Sequence, residues 1–188
     1  MRKGLNRIFY IITMEKICVL DNFLEKDELQ KALEIITKVL WSFGHKSTSK
    51  FSYETPFWSC SLDKEPFFTD YVLKLIQKTV NKKFIINRVY ANGQTFGQDG
   101  VYHIDAEDND FYTFVLYLHE IDEVDVELAG GHIYFKLPNL KYKICYEPLL
   151  NRGILFPSNY IHRACSFSRY IMDLRTCVAF KLREIKEV

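Results

Sequence analysis

The chain has 188 residues, 48% of them hydrophobic and 15% aromatic, which suits one domain with a substantial core and leaves too little for two full domains. Its 25 Lys and Arg nearly balance 24 Asp and Glu, so the net charge of +1 gives no general field for nucleic acid or an anionic membrane, and any such binding has to be local. Five cysteines (Cys18, Cys60, Cys145, Cys165 and Cys177) are odd in number, widely spaced and without a CxxC pair, the pattern of reduced, mostly buried thiols in a soluble, intracellular, cytoplasmic protein.

Residues 1–15 read as an N-terminal extension. Their basic start and the apolar stretch from Ile8 to Thr13 imitate a signal peptide, but Glu15 and Lys16 interrupt it and no small-residue cleavage site follows. No apolar run is long enough to span a bilayer. The remaining 16–188 read as one domain, helical over 16–83 and strand-rich over 84–183. Ile17 to Leu20 is a short strand, and from Leu29 the residues Ala32, Leu33, Ile36, Val39 and Leu40 recur at the spacing of an amphipathic helix. Gly44 to Lys50 is polar and predicts a loop, and Phe51 to Cys60 is aromatic with Pro56 breaking regular structure. A second helix starts after Pro66, with Phe68, Val72, Leu75, Ile76, Thr79 and Val80 on one stripe.

From Phe84 onward, short runs of β-branched and aromatic residues alternate with turn signals such as Asn92-Gly93, Gly130-Gly131 and Pro157-Ser158. Strands are predicted near 84–91, 101–106, 111–118, 131–136, 141–146, 153–156, 160–165 and 173–182. About eight strands after two helices make an α+β fold, an antiparallel jelly-roll barrel braced by N-terminal helices.

Residues two apart on a strand point to one face, so His103 and Asp105 can converge on one ion. His162 follows a loop and opens a later strand, from which it can close the site. Two neutral imidazoles and one carboxylate form the facial triad that suits iron(II) with open positions. Alone, His-x-Asp is a common pair, equally compatible with a strand-edge histidine beside a solvated aspartate.

With these residues the chain resembles the prolyl-4-hydroxylase-like branch of the iron(II)/2-oxoglutarate-dependent dioxygenase superfamily. The resemblance runs from about Ile17 to Leu182 and is carried by the segments 87–94, 103–105, 112–118 and 130–135, and by Phe156-Pro157 through His162 to Arg175-Thr-Cys-Val-Ala-Phe180. It implies a double-stranded β-helix, which is the jelly roll reached above. It also implies that His103, Asp105 and His162 hold Fe(II), and that Arg175 grips the far carboxylate of 2-oxoglutarate as a guanidinium fork. Cys177 and Ala179 are small and share the face of Arg175, leaving room for a ligand; Arg169 is the alternative cation.

Tyr117 matches a position that donates to the same carboxylate, with a core tyrosine satisfied by backbone as the alternative, and Thr113 is a further candidate there. The implied activity is hydroxylation of a C–H bond with release of succinate and CO2, using dioxygen and supported by ascorbate. The prime substrate on this resemblance is a peptidyl side chain such as proline; a small molecule or nucleobase, or a non-catalytic binding module, are the alternatives. Tyr102, Asp99, Trp58, Trp41 and the segment 44–60 are candidates for the substrate wall or for packing between helix and barrel. The sequence departs from the family at His119 and His132, and at Ala91, where Tyr90 sits one residue before the aligned tyrosine; both histidines read as structural or substrate-lining.

Overall fold

A computed structural model describes residues 16–48, 53–119, 126–138 and 140–185. The N-terminal extension, residues 49–50 of the expected loop and the start of the aromatic segment at 51–52 lie outside these residues.

The first strand, β1 (Cys18–Leu20), leads into α1 (Lys26–Lys38). The Glu28 side chain caps the start of that helix by accepting a hydrogen bond from the Glu25 backbone N–H at 2.8 Å. Its apolar stripe buries Ala32 and Ile36. After β2 (Ser42–His45) and β3 (Phe57–Ser61) comes a second helical segment, with a π-helical turn over Phe67–Val72 continuing into α2 (Leu73–Val80). Asn81 ends that helix in the left-handed region, φ 52°. The strand-rich part contains β4 (Phe84–Gln94), β5 (Phe111–Tyr117), the short α3 (Val126–Ala129), β6 (Ile133–Lys136), β7 (Lys143–Tyr146), β8 (Gly153–Pro157), β9 (Ile161–Ala164) and β10 (Arg175–Glu184).

The strands form two antiparallel sheets, a seven-stranded one in the order β1-β8-β5-β10-β4-β3-β2 and a three-stranded one in the order β7-β6-β9. Helix α1 and the second helical segment cover the outer face of the large sheet. Ala32, Ile36, Phe68, Val72 and Ile76 join Val89, Phe114, Leu116, Val178, Phe180 and Leu182 in one buried cluster. The alternate residues of the same strands face the other way, towards the small sheet. Val115, Tyr117, Ile154, Phe156 and Cys177 pack there with Ile133 and Phe135. Alternation along β4, β5 and β10 therefore separates a dry helix-facing core from an inner face that can hold polar groups.

The expected jelly-roll architecture with bracing helices is present, but the sequence reading needs correction at three places. Ser42–His45 and Phe57–Ser61 are strands of the large sheet rather than loop and irregular chain. Pro56 stops just short of β3, whose pairing with β4 then satisfies the backbone. Residues 101–106 do not form a continuous strand. His103 makes an isolated antiparallel bridge with His162, and the Asp105 N–H donates instead to the Ser158 carbonyl at 2.8 Å. All five cysteines are free thiols, with Cys60 and Cys177 buried, Cys18 and Cys165 half-buried and Cys145 exposed. No described helix is long and apolar enough to cross a membrane.

Asn151, also in the left-handed region at φ 62°, ties the turn before β8 to the entry of α1. Its side chain accepts from Leu24 N–H and donates to Leu24 O, both at 2.8 Å. Two residues on, Gly153 lies flat beneath the Phe114 ring, and a Cβ there would come within 2.5 Å of the ring's Cζ. Because Phe114 is fully buried and has nowhere to turn, Gly153→Ala is expected to cost about 1–3 kcal/mol through overpacking. A thermal melt of this variant should show a midpoint lower by roughly 5 °C; an unchanged midpoint would mean that the ring yields freely.

Candidate metal centre

The bridge between His103 and His162 and the turn at Ser158 bring three donors together. His103 and His162 exchange backbone hydrogen bonds at 3.0 and 2.9 Å, which sets their side chains side by side with ring centroids 4.5 Å apart. Asp105 folds back between them, Oδ1 lying 3.5 Å from His103 Nε2 and Oδ2 3.5 Å from His162 Nε2. One ligand atom from each residue lies within 4.8 Å of the others, and they form a group able to hold a metal ion. Cis ligands on an ion with bonds of about 2.1 Å stand roughly 3 Å apart, so small side-chain movements would close the set.

The hydrogen bonds around the cluster set its protonation. Each imidazole has its Nδ1 at 2.9 Å from a backbone carbonyl two residues earlier, Val101 O for His103 and Tyr160 O for His162. A carbonyl only accepts, so Nδ1 carries the proton and Nε2 turns a lone pair towards Asp105. His162 is deeply buried, and burial, only partly offset by Asp105, lowers its pKa to about 4. Burial works against ionisation of Asp105, but Lys181 and His162 outweigh it and hold the carboxyl well below its usual range. The two imidazole Nε2 atoms and the Asp105 carboxylate converge as the donor set that a divalent metal ion fits.

Asp105 is itself positioned. Thr113 Oγ donates to its Oδ2 at 2.6 Å, Ser158 Oγ lies 3.0 Å from that hydroxyl, and Lys181 Nζ forms an ion pair with the same oxygen. Burial opposes the charge on Lys181, yet Tyr90 and Asp105 raise its pKa, so the lysine stays protonated. Held through Oδ2 in this way, Asp105 turns Oδ1 towards His103, where it can serve as a single ligand atom.

Arg175 lies in the same cavity, at the start of β10, and is only 1% exposed. Its Nε donates to Gly131 O at 2.6 Å, Nη1 to Gln94 Oε1 at 2.9 Å and Nη2 to the Tyr117 hydroxyl at 3.3 Å. The guanidinium also contacts the Cys177 thiol, and at least one of its four terminal N–H groups is left over in a planar fork of the kind that receives a carboxylate. Tyr117 is fully buried, and burial pushes its phenol up to about 12. It accepts from Arg175, so its own proton is free to be donated into the cavity.

The expectations from sequence divide cleanly by location. His103, Asp105, His162, Arg175, Tyr117 and Thr113 all line the cavity, as do Cys177 and Ala179. Thr113 stands beside Asp105 rather than beside Arg175. Arg169 is exposed and does not line the cavity. None of the four candidate wall residues, Asp99, Trp58, Tyr102 and Trp41, lines the cavity. Asp99 clamps a loop by accepting from Ser166 N–H and Oγ at 2.8 and 2.9 Å, Trp58 packs on Phe43, and Tyr102 lies under Lys136 and Arg163 on the small sheet. From the segment 44–60, His45, Ser47 and Phe57 reach the cavity, and so does Tyr90 in spite of its offset. His119 is buried between Thr176 O and Pro148 O, and His132 stacks near Tyr134; neither is at the cavity.

Sequence reasoning passed over Lys181, Gln94 and Ser158. The signal for Lys181 was available, since it has the same strand parity as Arg175, Cys177 and Ala179.

The fold is similar to that of solved 2-oxoglutarate- and iron(II)-dependent oxygenases, prolyl hydroxylases among them. Among solved structures, the chain is similar to a prolyl hydroxylase from Trichoplax adhaerens in complex with a hypoxia inducible factor oxygen degradation domain peptide. The TM-score is 0.68 at 17% identity, covering 92% of this chain and 86% of that one. It is also similar to a prolyl-4-hydroxylase from Pseudomonas putida, with TM-score 0.66, 14% identity and coverage of 93% and 96%. A third is the viral collagen prolyl hydroxylase of Paramecium Bursaria Chlorella virus-1 as a 2-oxoglutarate complex, with TM-score 0.59, 15% identity and coverage of 94% and 100%. No family model and no curated protein matches the chain.

If Thr113 orients the metal-binding carboxylate, Thr113→Val should weaken binding of Mn(II) or Co(II) about tenfold. Calorimetric titration of the metal-free protein measures this, and an unchanged affinity would leave Lys181 alone to fix Asp105.

Proposed function

We propose that the chain is an Fe(II)- and 2-oxoglutarate-dependent dioxygenase that hydroxylates a C–H bond. The observation that carries this reading is the pairing, within one cavity, of three converging unprotonated donors with a buried guanidinium fork. Bound iron(II) would supply the centre at which dioxygen and 2-oxoglutarate react, the products being succinate, carbon dioxide and a hydroxylated substrate.

The residues divide the work. His103, Asp105 and His162 would hold the metal from one side and keep the opposite positions open. Arg175 would receive the distal carboxylate of 2-oxoglutarate in its fork, with Tyr117 donating to the same group, and so fix the direction in which the keto-acid end points. Thr113, Ser158 and Lys181 hold Asp105 in place. The apolar residues Val115, Ile133, Ala164 and Ala179 reduce the water that can reach the reacting groups.

A peptidyl side chain such as proline is the prime substrate favoured by the solved relatives. Ascorbate is proposed as the reductant that keeps the metal divalent between turnovers.

Purified protein supplied with iron(II), ascorbate and 2-oxoglutarate should form succinate slowly even without a prime substrate, and His103→Ala should abolish it. Equal inertness of both proteins together with undetectable metal binding would refute the enzyme reading. Arg175→Ala should raise the dissociation constant of 2-oxoglutarate by about 10- to 100-fold, the loss expected for a charge-assisted pair, with little effect on metal binding. An unchanged co-substrate affinity would remove Arg175 from that role.

A further inference from the structure

Lys181 is largely buried, and its neighbours across the sheet are unusual. Its side chain is 20% exposed. On β10 it pairs directly with Thr113 of β5 on one side and Arg88 of β4 on the other. Like charges opposed on adjacent strands destabilise a sheet unless an anion serves both. The guanidinium of Arg88 lies 4.3 Å over the Tyr90 ring, at the mouth of the cavity. There the cavity opens into a groove lined by Lys46, Arg88 and Lys181, in which Asp105 is the only carboxylate among the described residues. His45 also lines this mouth, and burial, then Arg88 and Lys181, hold its imidazole pKa below the usual range.

In the metal-free chain Asp105 neutralises Lys181. In the proposed enzyme Asp105 would keep Oδ2 against Lys181 while Oδ1 takes the metal, so that its single charge is shared between two cations. The dication, Asp105, the doubly negative 2-oxoglutarate and Arg175 then balance one another, and Lys181 is left as a largely buried cation without a counter-charge of its own. A charge only partly balanced in such a position is costly. The substrate is the component still to enter.

We propose that the prime substrate carries a carboxylate that pairs with Lys181 and Arg88 beside the carbon to be oxidised. The inference rests on the oxygenase reading and specifies the substrate chemistry of that same site. One negative charge suffices to balance Lys181. The carboxylate can belong to an acidic peptide or to a small free acid, and both sources present the same group to the same two cations.

The test uses protein loaded anaerobically with iron(II) and 2-oxoglutarate, whose visible charge-transfer absorption reports assembly of the site. Two matched pairs are titrated by calorimetry: L-proline against L-prolinamide, and the capped tripeptide Ala-Pro-Asp against Ala-Pro-Asn. In at least one pair the acid is expected to bind about tenfold more tightly than the amide. The pair that discriminates identifies the source. Lys181→Met should abolish the preference, read at iron(II) and 2-oxoglutarate concentrations that restore the full charge-transfer absorption.

Arg88→Ala, at an exposed position that should leave folding intact, is expected to reduce the preference severalfold, and it carries the test if Lys181→Met does not fold. Failure of both acids to bind better than their amides overturns the proposal. So does tighter binding of inorganic phosphate than of either acid, or a Lys181→Met variant that loses 2-oxoglutarate instead of the acid preference. An absent charge-transfer absorption overturns the oxygenase reading and takes this inference with it, whereas a normal absorption without acid preference sinks the inference alone.

Discussion

The carboxylate of Asp105 is the contact on which the candidate site depends. It is nearly buried, and it survives there as an anion because Lys181 and Thr113 occupy one oxygen while two imidazoles face the group. A buried carboxylate costs several kcal/mol unless its partners compensate, so each of these neighbours is required by the others. Its backbone is held as firmly, since the N–H of Asp105 is bonded to Ser158 O, one step beyond the His103–His162 bridge. Side-chain charge and backbone pairing therefore converge on the same short segment.

Around that point the large sheet divides its labour by alternation. Phe114, Leu116, Val178 and Phe180 face the helices and carry the packing. Thr113, Val115, Tyr117, Arg175, Cys177, Ala179 and Lys181 come from the same two strands and face the cavity. A register slip of one residue would exchange the two sets. The close fit of Gly153 under Phe114 is one of the contacts that resists such a slip, because a larger residue could not take that place. Stability and site geometry are thus coupled through the same register.

Arg175 and Lys181 bound the cavity along β10, and they differ in the partners left to them. Arg175 is satisfied by neutral acceptors, Gly131 O, Gln94 and Tyr117, and keeps at least one spare donor for an incoming anion. Lys181 is satisfied by a carboxylate that metal binding would engage. This asymmetry gives the two ends of the cavity different electrostatic needs and a means of telling two anions apart.

Much of this was legible in the chain itself. Helical periodicity marked α1 and the segment after Pro66, and turn residues separated most of the later strands. Parity along a strand put Tyr117 with Thr113 and Val115, and Arg175 with Cys177 and Ala179. What misled were segments whose conformation comes from distant partners. The strand β3 exists because β4 offers it an edge, and β2 because β3 does, while Gly44 and the Pro56 just before β3 are local signals against strands. His103 and Asp105 meet His162 through a single bridge and a turn, not through a regular strand.

The sequence by itself determined the alternation that sorts side chains to two faces and the residue types able to bind a metal and a carboxylate, because these are local properties of the chain. Only the tertiary structure decided which cations lie inside, that Asp99, Tyr102 and Trp58 lie away from the cavity, and that Lys181 leans on Asp105. Burial and distance between residues far apart in sequence arise when the two sheets close, and no local pattern encodes them.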